Sequence, residues 1–85
     1  MPGPFNQTPI ERAAMTEIIA AQTLRDLTAC IAEMFRATGA ERRLYRHYVR
    51  HALRTWRCAE ARRREAFAAA VRAGRSEQHA LIAAE

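Results

Sequence analysis

The sequence predicts an all-α protein, an antiparallel hairpin of two long helices followed by a short C-terminal helix. Apolar side chains recur at alternating spacings of three and four residues through the first half of the chain, which is the repeat of an amphipathic helix. The second half carries a comparable apolar stripe together with most of the arginines. A short Thr-Gly turn separates the halves, and a connection this short brings consecutive helices together side by side.

Residues 1–8 are expected to form an extended N-terminal arm. Two of the three prolines and one glycine lie within the first four residues, and no apolar periodicity precedes Thr8. The remaining residues, 9–85, are expected to form one helical domain, because 85 residues suffice for a single thin core.

The first helix is predicted over residues 9–38. Thr8 is placed to cap it, with Pro9 at the first helical position and Glu11 three residues after the cap. Its apolar stripe, which includes one acid, should face the second helix. The stripe consists of Ile10, Ala13, Glu17, Ala20, Leu24, Leu27, Ile31 and Met34.

The second helix is predicted over residues 40–73 and the third over residues 77–84. Thr38 repeats the capping pattern with Glu41, and Gly39 permits the chain reversal. Gly74 is expected to stop the second helix. The apolar side of that helix should face the first helix; it consists of Tyr45, Tyr48, Val49, Ala52, Trp56, Ala59, Ala66, Phe67 and Ala70.

The opposite side of the second helix is strongly basic. Between residues 41 and 75 the chain has eleven of its fourteen arginines and only three acids. Helical spacing collects part of this charge into what we call the arginine surface: Arg43, Arg46, His47, Arg50, Arg54, Arg57 and Arg64. Because this surface spans about 32 Å and guanidinium groups suit phosphate, we expect it to bind a polyanion, foremost nucleic acid with little sequence preference.

Other partners fit the same charge. A small adaptor, accessory subunit or inhibitor could use the arginine surface to dock on an acidic or nucleic-acid-binding surface of a larger complex. A membrane surface is disfavoured, because the apolar side of the second helix should already be occupied by the first.

Two further features are predicted: an ion pair between the two helices and an apolar patch on the first helix. Pairing the helices about Gly39 sets Glu17 opposite Arg63, so an ion pair should fix their register. Met15, Ile18 and Ile19 project away from the seam, so either the third helix covers them or two hairpins associate there into a four-helix bundle.

We expect neither catalysis nor a cofactor. The sequence has no glycine-rich phosphate loop and no nucleophile with a placed base. His47 and His51 have a metal-type spacing, but the arginines around them would repel a cation, so no metal site is predicted. The two cysteines, Cys30 and Cys58, are expected to be reduced thiols in a cytoplasmic protein.

Overall fold

The computed structural model describes residues 7–84, so the first six residues of the predicted arm and Glu85 lie outside the described residues. Two helices in contact make up almost all of this range: α1 (Pro9–Arg36) and α2 (Ala40–Ala84). No strand occurs between residues 7 and 84. The all-α prediction is therefore confirmed.

Helix α1 begins where the capping pattern predicted. The Thr8 hydroxyl oxygen accepts a hydrogen bond from the Glu11 amide at 3.2 Å, with Pro9 in the first turn. The helix ends slightly earlier than expected, because Ala37 has extended backbone angles and closes the last turn by donating to the Glu33 carbonyl.

The connection between the helices corrects one detail of the prediction. Gly39 has a φ of +60°, in the left-handed region, and its carbonyl accepts the first hydrogen bond of α2, from the Arg43 amide at 3.4 Å. Gly39 therefore occupies the N-cap position, and Thr38 lies one residue too early to cap α2. Arg42 supports the turn instead, since its Nε donates to the Ala37 carbonyl at 3.1 Å.

The predicted stop at Gly74 and the separate third helix are wrong. Helix α2 continues through Gly74 and Ser76 to Ala84. Glycine inside a helix costs only about 1 kcal/mol relative to alanine, and no proline follows to end the helix. The alanine-rich sequence on both sides of Gly74 is enough to carry the helix onward.

The helices run antiparallel, and α2 extends past the start of α1. Cys30 and Tyr48, both near the turn, line one surface groove, whereas Arg12 and Ala69, both far from it, line another. The start of α1 therefore lies beside the Ala69–Ala73 region of α2. Beyond it Leu81 and Ile82 are exposed.

Small side chains form the seam between the helices. The buried side chains among the described residues are Ala20, Leu27, Ala37, Ala59 and Ala66. Alanines on both helices let the two backbones approach closely, but they bury little apolar area. The hairpin is held together by a narrow line of contacts.

The seam on α1 is rotated from its predicted position. Thr16 and Thr23, which were not assigned to the stripe, are half-buried, whereas Ile10 is 70% exposed and Leu24 is 46% exposed. The Thr23 hydroxyl donates to the Ala20 carbonyl at 2.9 Å, so its polar atom is satisfied within its own helix and its methyl group remains free to pack. On α2, Tyr48 and Phe67 were predicted to face α1, but both side chains are exposed.

Candidate functional site

The arginine surface lies on the outside of α2. All seven of its side chains are exposed, and the residues of α2 that contact α1 lie on the other side of the helix. Nothing interrupts the helix between Arg43 and Arg64, so the surface is a straight strip about 32 Å long. The opposite placement of Trp56, which is half-buried at the seam, agrees with the separation of faces predicted from the sequence.

Most of the surface is not neutralised by neighbouring acids. Glu60 forms a salt bridge with Arg64 at 3.4 Å, across one turn of α2. Within residues 7–84 no salt bridge involves the other arginines of the surface, which are Arg43, Arg46, Arg50, Arg54 and Arg57. These five guanidinium groups present their full charge to solvent.

Arg63 pairs within its own helix, which corrects the predicted Glu17–Arg63 ion pair. Arg63 donates two hydrogen bonds to Glu60, from Nε to Oε2 at 2.9 Å and from Nη2 to Oε1 at 2.6 Å. Glu17 is turned out of the seam by the rotation of α1, and it forms no salt bridge within the described chain. The sequence did contain the correct signal, an acid three residues before the arginine.

These charges shift one another's ionisation. The hydrogen bond from Arg63 lowers the pKa of Glu60, and the charges of Arg63 and Arg64 act in the same direction. The hydrogen bond to Glu60 raises the pKa of Arg63, with a smaller contribution from the charge of Glu17. Glu17 is thus near Arg63 without touching it.

The apolar patch predicted on α1 is exposed in the described part of the chain. Met15, Ile18 and Ile19 are all open to solvent. Coverage by a separate third helix, one of the two arrangements considered for this patch, is wrong because α2 continues as one helix to Ala84. Whether a second copy binds these residues stays a prediction.

A groove on the side of the hairpin that carries Ile19 has a volume of about 440 Å³. Three threonines line it, and each donates its hydroxyl to a carbonyl one turn back in its own helix: Thr16, Thr23 and Thr55. Their methyl groups consequently dominate the walls. Arg54, Arg62 and His51 lie at its edges, and Arg62 had not been predicted to belong to any site.

No cluster of three or more His, Cys, Asp or Glu side chains able to hold a metal ion occurs within residues 7–84. Cys30 and Cys58 are free cysteines. Neither α1 nor the described part of α2 combines the length and apolar composition that crossing a bilayer requires.

The geometry therefore offers one extended basic surface, two open apolar grooves beside the seam, and a small network of charges around Glu60. Comparison with protein-family models, with curated proteins and with solved structures found no match to this chain.

Proposed function

We propose that this chain is a non-enzymatic binding protein whose arginine surface contacts a polyanion, most directly the phosphates of nucleic acid. The observation that supports this is the row of five exposed arginines on α2 without salt-bridge partners in the described chain. A continuous helix holds them in line, so binding phosphate would not require the hairpin to rearrange.

The mechanism is electrostatic. Each guanidinium can donate two hydrogen bonds to a phosphate and release condensed counterions as it binds. Contact with five or six phosphates gives a slope of about −5 in a plot of log binding constant against log salt concentration. The helix presents no arrangement that would distinguish base pairs, so affinity should depend on salt far more than on sequence.

The direct test measures fluorescence anisotropy of labelled duplex and single-stranded oligonucleotides over a salt series. Replacing Arg50, Arg54 and Arg57 with alanine should weaken binding at least about tenfold at low salt and flatten the slope by nearly three units. All three side chains are exposed, so helicity by circular dichroism should not change.

The chain provides a matched control. Arg12, Arg25 and Arg36 are the arginines outside residues 41–75, and replacing them with alanine removes the same net charge from α1. If nucleic acid binds the arginine surface, this control should bind with nearly unchanged salt dependence. Equal losses in both triple variants would mean that net charge, and not the surface, governs binding.

An acidic protein is the alternative partner for the same surface. Pull-down from nuclease-treated lysate separates the two: recovery of one stoichiometric acidic protein would favour docking on a larger complex, and loss of all partners would favour nucleic acid. A cytoplasmic location and self-association into a four-helix bundle are part of the same proposal.

A further inference from the structure

Within the described residues, an apolar face beside the seam has no partner, in addition to the Met15, Ile18 and Ile19 patch. Leu24 and Trp56 line a groove of about 340 Å³ on the side of the seam opposite the threonine-lined groove, together with Glu17, Glu60 and Arg63. Large exposed apolar side chains continue this face toward both ends of the hairpin: Ile10, Phe35, Phe67 and Val71. A core of four alanines and one leucine is small for a chain of this length.

The periodicity of α1 indicates what this face is for. The stripe predicted from the sequence also includes Leu24 and Ile10, which the seam leaves exposed. The residues common to the stripe and the seam are Ala13, Ala20, Leu27, Ile31 and Met34. At about 100° per residue the centre of the stripe lies roughly 50° away from the centre of the seam. That offset is expected of a helix in a four-helix bundle, which faces two neighbours instead of one.

We propose that a second copy of the chain covers this apolar face, which contains Leu24 and Trp56. The two copies then form a four-helix bundle whose two-fold axis runs parallel to the helices. This proposal places the self-association on a different face from the Met15, Ile18 and Ile19 patch, and it does not depend on polyanion binding. In this arrangement α1 of one copy lies antiparallel to α2 of the other, in the same register that joins α1 and α2 within a hairpin. Leu24 then packs against Trp56 of the second copy, and Ile10 packs against Phe67 of the second copy.

Charge complementarity selects this axis. The cluster of Glu60, Arg63 and Arg64 carries one excess positive charge, while Glu17 has no salt bridge among residues 7–84. The proposed axis sets Glu17 at the level of this cluster on the second copy, so one layer of the dimer combines two Glu17, two Glu60, two Arg63 and two Arg64 side chains with no net charge. Glu60 and Arg63 are half-buried in this layer, and Arg64, which is 77% exposed at the edge of the arginine surface, balances its charge from the rim. A balanced layer would fix the register between alanine-rich helices.

The alternative two-fold axis, perpendicular to the helices, lacks this match. It would set Glu17 beside Ile31 of the second copy and Phe67 beside Arg42 or Arg46, leaving the acid without a basic neighbour. The face is also large enough for a stable dimer: from Ile10 to Phe35 it is about 38 Å long and two helices wide, on the order of 750 Å² per copy.

Sedimentation equilibrium of the full chain tests the proposal. We expect twice the monomer mass at micromolar concentration, a melting temperature that rises with protein concentration, and emission of the single tryptophan, Trp56, that shifts to shorter wavelength as the dimer forms. A monomer with concentration-independent melting and emission would overturn the proposal, and this measurement needs no variant.

Paired variants locate the interface. Leu24→Asp should raise the dissociation constant by roughly 100-fold, about tenfold for each of two leucines. Ile18→Asp, on the predicted Met15, Ile18 and Ile19 patch, is the control and should leave the dimer intact. The reverse result would place the interface on that patch and overturn ours.

The axis is tested by exchanging charges. Glu17→Arg and Arg64→Glu should each weaken the dimer, and the double variant should recover part of the loss because the opposed charges are restored. Strict additivity of the two effects would overturn the proposed axis.

Discussion

Glu60 holds Arg63 by two hydrogen bonds, at 2.9 and 2.6 Å, in a groove that Leu24 and Trp56 also line. The pair explains how a guanidinium can occupy a seam position: its charge is satisfied within one turn of its own helix. Substituting Glu60 with glutamine should lower the melting temperature, because Arg63 remains half-buried with a weaker partner.

A double-mutant cycle by thermal unfolding should give strong coupling between Glu60 and Arg63 and weak coupling between Glu17 and Arg63. Stronger coupling to Glu17 would contradict the geometry.

The same pair makes stability depend on pH. Because the pKa of Glu60 is lower in the folded chain than in the unfolded one, its contribution is present above about pH 5 and is lost as pH falls through the folded pKa. The difference in melting temperature between wild type and Glu60→Gln should therefore shrink between pH 6 and about pH 3. A difference that stays constant over this range would rule out the carboxylate as its origin.

Close approach of the helices depends on alanine. Ala20 and Ala59 are 4% and 7% exposed, so both are buried between the helices. Replacing Ala20 with leucine should destabilise the fold by about 1–3 kcal/mol through overpacking. Ala29→Leu, on the exposed side of the same helix, is the control and should be nearly neutral in chemical denaturation. Equal effects would mean that the seam is loosely packed.

Leu27 is the largest buried apolar side chain among the described residues. Truncation to alanine should cost about 2–5 kcal/mol, because both transfer energy and packing are lost. The exposed Leu81 gives a matched substitution, and Leu81→Ala should cost little. Urea titration followed by circular dichroism would compare them, and a small effect at Leu27 would contradict its place in the core.

The two glycines of the described chain should respond in opposite directions to alanine. Gly74 lies inside α2, and a methyl group added to its Cα would meet no atom within 4 Å, so Gly74→Ala should stabilise by about 0.5–1 kcal/mol. Gly39 has a positive φ, so Gly39→Ala should destabilise by about 1 kcal/mol. Destabilisation by Gly74→Ala would instead indicate a helix end at that position.

Periodicity predicted the helical class and the outward arginine surface, and the capping pattern predicted the start of α1, because each depends on local chemistry. The rotation of the seam could not be read from α1 alone, since a single stripe does not reveal how many neighbours it will meet. Arg63 pairs with Glu60 and not with Glu17 for a related reason. Residues three apart come within reach as soon as one helix forms, whereas Glu17 approaches only when the two helices pack. The prediction at Gly74 was wrong because a glycine signals a helix end only when its neighbours also disfavour helix.

The part of α2 that extends past the start of α1 should unfold locally before the rest of the hairpin. The turns after Ala73 have no second helix beside them within the described residues, so their backbone hydrogen bonds depend on continuity with the rest of α2 alone. Amide protons there should exchange with solvent in order from Ala84 inward, and exchange should slow sharply where α1 begins. A protease would likewise shorten the chain from this end and pause at the same boundary.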